Sequence, residues 1–118
     1  MKLEALVWLG VRTERFEQTA RFYRDVVGLD PYSEEDESVR FRLENGTEIH
    51  VYGPRDEFHE FFGTAPVVGF LVDDVASARL EMEAAGIEFI GPIQHGESER
   101  WSHFLGADGN VYELLSRG

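Results

Sequence analysis

At 118 residues the chain has the length of one domain. Hydrophobic residues make up 42% of it, enough for a packed core and too many for a disordered acidic tail. Its 23 acidic and 11 basic residues leave a formal charge of −12. That balance disfavours nucleic acid and anionic membranes as partners, since both need a basic face, and it weakly favours cationic ligands. Cysteine is absent, so disulfides, thiolate chemistry and Cys-based zinc sites are excluded together. Lys2 and Glu4 flank only the short apolar run Leu6 to Leu9, which does not read as a signal peptide, and no run approaches the roughly 20 residues of a membrane helix. The expected location is the cytoplasm.

In chain order, Leu3 to Val11 reads as an apolar strand. Phe16, Ala20, Tyr23 and Val27 then recur at helical spacing, and Gly28 stands where a helix ends. A strand-like segment, a second one, the turn Asn45-Gly46 and the strand Thr47 to Tyr52 follow. The second half repeats this plan. Pro66 to Val72 is apolar, Asp73 and Asp74 supply caps, and Val75, Ala78, Met82 and Ala85 form a helical stripe closed by Gly86. Its last turn is Asp108-Gly109 and its last strand Asn110 to Leu115.

Each half therefore reads β-α-β-β-β within one domain. Module 1 covers about 1–53, a connector about 54–65, and module 2 about 66–118. Phe58, His59, Phe61 and Phe62 predict a short helix in the connector, pinned to the body. Two unrelated halves that share turn grammar would give the same spacing.

One register decision sorts the hairpin Val39 to Tyr52, because a strand alternates its side chains. A two-residue Asn-Gly turn would mix charged and apolar residues on both faces. A three-residue loop of Glu44, Asn45 and Gly46 instead pairs Phe41 with Ile49, Arg42 with Glu48 and Arg40 with His50. Val39, Phe41, Leu43, Ile49 and Val51 then form a buried face, and Arg40, Arg42, Glu48, His50 and Tyr52 the other. On the last strand, Val111, Glu113 and Leu115 oppose Tyr112 and Leu114, and hydropathy does not choose the inward side. His50 and Glu113 both lie four residues after their turn glycines. Equivalent positions thus carry an imidazole and a carboxylate, both suited to metal binding and proton transfer. The plain alternative is a pair of solvated strand residues.

The segments FYRDVVGL at Phe22 to Leu29 and DGNVYEL at Asp108 to Leu114 resemble the vicinal oxygen chelate superfamily. That group includes glyoxalase I, bleomycin resistance proteins, fosfomycin-resistance enzymes and extradiol dioxygenases. The resemblance implies an α+β fold, with two β-α-β-β-β modules forming a cupped, mixed-sheet pair of half-barrels. It does not fix the function. The family's four metal-binding positions fall on Trp8, His50, Val67 and Glu113. Trp and Val cannot ligate, and divalent sites normally need three or more protein ligands. No cofactor is therefore expected. The alternative is a divalent metal (Ni, Zn, Fe or Mn) on His50 and Glu113, with Glu48 or His103 as substitute ligands.

The resemblance also implies a shared cavity lined by Trp8, Arg40, Arg42, Glu48, Tyr52, Val67, Trp101 and His103. Trp8 either offers a flat surface for an aromatic ligand or fills the space of a lost metal. Arg40 and Arg42 suit a ligand carboxylate or phosphate, although Arg42 opposite Glu48 also reads as an ordinary cross-strand ion pair. The acidic run Glu34 to Glu37 reads as solvated loop, and His59 and His95 receive no role. The expected function is metal-free binding of an aromatic or cationic small molecule, for sequestration or resistance. The alternative is a metal-dependent lyase, isomerase or dioxygenase of the lactoylglutathione-lyase type with an altered ligand set, with His50 as base or ligand and Glu113 as proton carrier or ligand. An interaction scaffold without a ligand is a third option. A homodimer is expected, because members of the family commonly complete their sites across two chains.

Overall fold

The computed structural model describes residues 1–117; Gly118, the last residue of the expected second module, lies outside the described residues. By contacts the chain divides into two compact units. One is Trp8–Val67, and the other combines Met1–Val7 with the residues from Val68 onward. Each carries four strands and one α-helix.

In the first unit, β1 (Ala5–Arg12) leads to a short helix α1 (Phe16–Arg21), followed by β2 (Pro31–Glu35), β3 (Ser38–Arg42) and β4 (Glu48–Tyr52). The strand order is β2-β3-β4-β1, with β1 parallel to β4 and the other pairs antiparallel. The β3–β4 register is the one expected from the three-residue loop: Phe41 faces Ile49, Arg40 faces His50 and Arg42 faces Glu48. Two hydrogen bonds close that loop, from Leu43 N–H to the Thr47 carbonyl and from Gly46 N–H to the Leu43 carbonyl. Gly46 adopts φ 89°, where a Cβ would be strained.

The apolar side of this hairpin packs on α1. Val39, Phe41, Ile49 and Val51 join Ala20 in a core flanked by Leu9, Phe16, Tyr23, Leu29 and Leu43. Val27, expected on the helix stripe, is instead 49% exposed. The cause is a π-helical turn over Phe22–Val26, in which the Val27 N–H reaches back five residues to the Phe22 carbonyl. The wider turn carries one extra residue, so the stripe rotates away from Val27 and Leu29 packs in its stead.

The second unit repeats the plan with β5 (Val67–Leu71), α2 (Val75–Ala84), β6 (Phe89–His95), β7 (Glu99–Leu105) and β8 (Val111–Arg117). Its order is β6-β7-β8-β5, with β5 parallel to β8. The Asp74 carboxylate caps α2 by accepting from the Ala76 N–H at 3.2 Å, and Gly86 at φ 92° follows its end. Val72, Val75, Ala78, Phe104 and Leu114 form the core here. That decides the facing of β8: Tyr112 and Leu114 face α2, while Val111, Glu113 and Leu115 face away from it. The same topology in both units supports an internal duplication.

Phe41 is wholly buried, so Phe41→Ala is expected to cost about 3–5 kcal/mol in urea unfolding. Val27→Ala is expected to stay within about 0.5 kcal/mol. A comparable loss at both positions would contradict the π-turn register.

Candidate functional site

In the first unit, strand alternation gathers six of the sequence-predicted residues on the side of the sheet away from α1. Arg40, Arg42, Glu48, His50 and Tyr52 come from β3 and β4. Trp8 comes from β1, in register with Glu48, and Gly10 lies beside His50. The Trp8 ring covers Gly10, where any Cβ would collide with it. Trp8 is 8% exposed, with its ring edge-on to His50 at 5.3 Å and to Phe62 at 6.0 Å. It thus forms a buried aromatic wall beside the histidine.

The connector closes over the same side. Arg12 holds it by donating to the Asp56 and Pro54 carbonyls at 3.0 and 2.8 Å. His59 then stacks on Tyr52 with ring centroids 3.7 Å apart and pairs with Asp56 at 2.9 Å. The 3₁₀ turn Glu60–Phe62 inserts Phe62, which is buried. This is the short pinned helix expected for the connector.

His50 is engaged at both ring nitrogens. Nε2 lies 2.8 Å from Glu48 Oε1, and Nδ1 lies 2.9 Å from the Tyr52 hydroxyl. Burial is the dominant influence on the ring and outweighs the attraction of Glu48, lowering its pKa from 6.5 to about 4. A neutral ring carries one proton. The carboxylate can only accept, so Nε2–H donates to Glu48 and Nδ1 accepts from the Tyr52 hydroxyl. Burial also works against the charge on Glu48. Hydrogen bonds from Tyr32, His50 and Arg42 overcome that penalty and hold its pKa below the usual value. Arg42 donates to Glu48 Oε2 at 3.2 Å and lies over the Tyr32 ring at 4.3 Å.

Tyr32 was not among the sequence candidates. It donates to Glu48 Oε1 at 2.5 Å and lies 3.3 Å from His50 Nε2. Burial first, and then the bond to Glu48, raise its pKa to about 12. Tyr32 sits at a register shift between Pro31 and Ser33, where β2 bulges against β3. Simple alternation cannot place such a residue, which is why no pattern singled it out. His59 was likewise given no role; the aromatic run of the connector was its only trace. In the acidic run Glu34, Glu35 and Asp36 are exposed, as expected of a solvated surface, although Glu34 and Glu35 belong to β2. Glu37 differs, packing against Gly53 and accepting from the Arg55 N–H.

In the second unit, His103 and Glu113 face each other across β7 and β8. His103 Nε2 and Glu113 Oε2 are 3.1 Å apart, and each side chain is 5% exposed. Burial raises the Glu113 pKa, against the opposing pull of His103. Alternation puts Trp101 on their side of β7, where its ring also packs over Gly96. Val67 is 1% exposed.

Glu48 and His103, named as substitute ligands, thus lie beside His50 and Glu113 respectively. Within each unit, however, the donors come as a pair. No group of three or more His, Asp or Glu suited to a metal ion is assembled among the described residues. Both nitrogens of His50 are also occupied by protein partners, so the donor set of the first unit does not fit a divalent ion.

The sequence model of the Glyoxalase/Bleomycin resistance protein/Dioxygenase superfamily matches residues 5–114. The chain belongs to this superfamily. Similar solved structures include methylmalonyl-CoA epimerase from Mycobacterium tuberculosis, at 16% identity and TM-score 0.75, covering 98% of this chain and 89% of that one. The Streptomyces coelicolor methylmalonyl-CoA epimerase, in complex with 2-nitronate-propionyl-CoA, also has 16% identity and TM-score 0.75, with 99% and 96% covered. A hypothetical protein from Bacillus halodurans is 15% identical with TM-score 0.73, covering 97% and 94%. At such identities the likeness shows a shared glyoxalase-like fold. No curated protein matches the chain. Among the described residues, no helix is long and apolar enough to cross a membrane.

The depressed pKa of His50 gives a pH signature. The unfolded chain protonates this ring near 6.5 and the folded chain only near 4, so the unfolded state binds more protons between those values. Stability therefore falls as pH drops through that window. His50 alone is expected to remove about 2 kcal/mol between pH 7 and 5. Glu48, with its lowered pKa, adds a further loss as the pH falls from the ordinary carboxylate value downward. Urea unfolding at the two pH values checks this: His50→Gln should flatten the slope by that amount, and an unchanged slope would show that the ring titrates normally.

Proposed function

We propose that this member of the superfamily binds a small planar aromatic ligand without a metal, on the His50 side of the first unit, and acts by sequestration. The observation that carries the reading is the complete engagement of His50 by Glu48 and Tyr52. A ring held neutral, with its one proton directed at a carboxylate, is a finished hydrogen-bonding element and not a vacant ligand. Tyr32, Glu48 and His50 would contact the bound molecule, with Trp8, set edge-on to the imidazole, as the rigid aromatic support behind them. Of the aromatic and cationic classes read from the sequence, the aromatic is favoured here because Arg40 and Arg42 border the same face. A homodimer remains the proposed working form, which sedimentation checks.

Thermal unfolding against a panel of planar aromatic compounds tests the reading. At a ligand concentration a hundred times Kd, stabilisation of about 2.7 kcal/mol is expected, which raises Tm by several degrees. Dialysis against a chelator should leave Tm unchanged. A flat response across the panel, or a Tm that collapses on chelation, would refute the proposal.

A second reading has its own support in Glu113, a buried carboxyl with a raised pKa beside His103. Such a group suits proton transfer at carbon in a lyase or isomerase. Because the similar structures include methylmalonyl-CoA epimerases, methylmalonyl-CoA is the first probe. Enzymatic wash-in of solvent deuterium at its α-carbon, lost in Glu113→Gln, would favour this reading over sequestration; no exchange is expected if the chain only binds.

A further inference from the structure

Two buried side-chain polar atoms are left without a hydrogen-bond partner among the described residues, Arg40 Nε and Ser38 Oγ. They stand two residues apart on β3. Strand alternation therefore puts both on the side that carries His50, Glu48 and Tyr52. Ser38 faces Tyr52 and Arg40 faces His50 across the hairpin. Buried polar groups are normally paired, and a coincident pair of exceptions on one strand face asks for a common explanation.

The two arginines of β3 are not equivalent. The charge of Arg42 is already met by Glu48 at 3.2 Å, and its guanidinium lies on Tyr32. Arg40 makes no side-chain hydrogen bond or ion pair among the described residues. Its neighbours across the strands are the neutral His50 and Ser33. In a chain of net charge −12, a half-buried guanidinium without a carboxylate partner is an anomaly.

We infer that Arg40, assisted by the Ser38 hydroxyl, receives a carboxylate carried by the ligand. This rests on the binding reading above and names the polar end of the same molecule. Guanidinium offers two parallel donors to a carboxylate, and the hydroxyl supplies a third from the same strand. Ser38 also lines an open depression of about 540 Å³ with Glu35, Asp36, Glu37 and Asp56. Those acids repel any anion, and a dianionic phosphate more than a singly charged carboxylate, so of the two groups that Arg40 could receive the carboxylate is the less opposed.

The test compares 2-naphthoate with its uncharged isostere 2-naphthamide, and with 2-naphthyl phosphate, by titration calorimetry at pH 7. The carboxylate is expected to bind about tenfold more tightly than the amide, and more tightly than the phosphate. Arg40→Gln should bring carboxylate and amide to equal affinity, and Ser38→Ala should narrow the gap in part. Arg42→Gln, whatever its effect on absolute affinity, should keep the ratio. Equal binding of carboxylate and amide by the unaltered protein overturns the Arg40 inference and leaves the aromatic binding reading intact. A preference for the phosphate overturns the carboxylate assignment. Binding of none of the three overturns both readings. Because the comparison is made first on the unaltered chain, it does not depend on the folding of any variant.

Discussion

The candidate site depends on the register of β3 against β4. The pleat sends successive side chains to opposite sides of the sheet, and β4 is also held by β1. A slip of β3 by one residue would therefore turn Arg40 and Arg42 onto α1 and push Val39 and Phe41 out of the core. What holds the register is a three-residue loop ending in Gly46, whose positive φ lets the chain reverse with one extra residue on the turn. The apolar core and the His50 network are two consequences of that single constraint.

From the register follows an electrostatic arrangement. Covering His50 with Trp8 on one side, and Tyr52 and the connector on another, withdraws water from the ring and disfavours its charge. Glu48 is covered as well, but it keeps its charge because three donors converge on it. The two neighbours therefore respond to burial in opposite ways. The histidine becomes a neutral donor and the carboxylate a fixed anion. Tyr32 and Arg42 both meet that anion, whereas Arg40, on the same face, has no carboxylate partner among the described residues.

Much of this was legible beforehand. Periodicity and turn glycines located the two β-α-β-β-β units, and hydropathy chose the hairpin register over its rival because only one option kept arginines out of the core. The equivalence of His50 and Glu113 also emerged from spacing, and each lies on the side of its sheet away from its own helix. Other features resisted. Val27 left the helix stripe through a π turn, a local widening that a regular period does not anticipate. Tyr32 joined the site through a bulge, and His59 through a stack on Tyr52 formed by a connector with no period of its own. For β8 both faces were apolar enough that only the packing of α2 on Phe104 and Leu114 showed which side Glu113 takes.

The division has a physical basis. Alternation, capping and turn chemistry act between residues a few positions apart, so the amino-acid order alone determined the sequence of the elements, the register of the β3–β4 hairpin and the family. Whether a polar group is wet or dry, paired or alone, depends on segments distant along the chain. Only the tertiary structure decided that Trp8 is packed as a wall, that His50 is neutral and doubly bonded, and that Arg42 is satisfied while Arg40 is not. Desolvation and hydrogen-bond partnership are properties of what covers a side chain, and no local pattern encodes that cover.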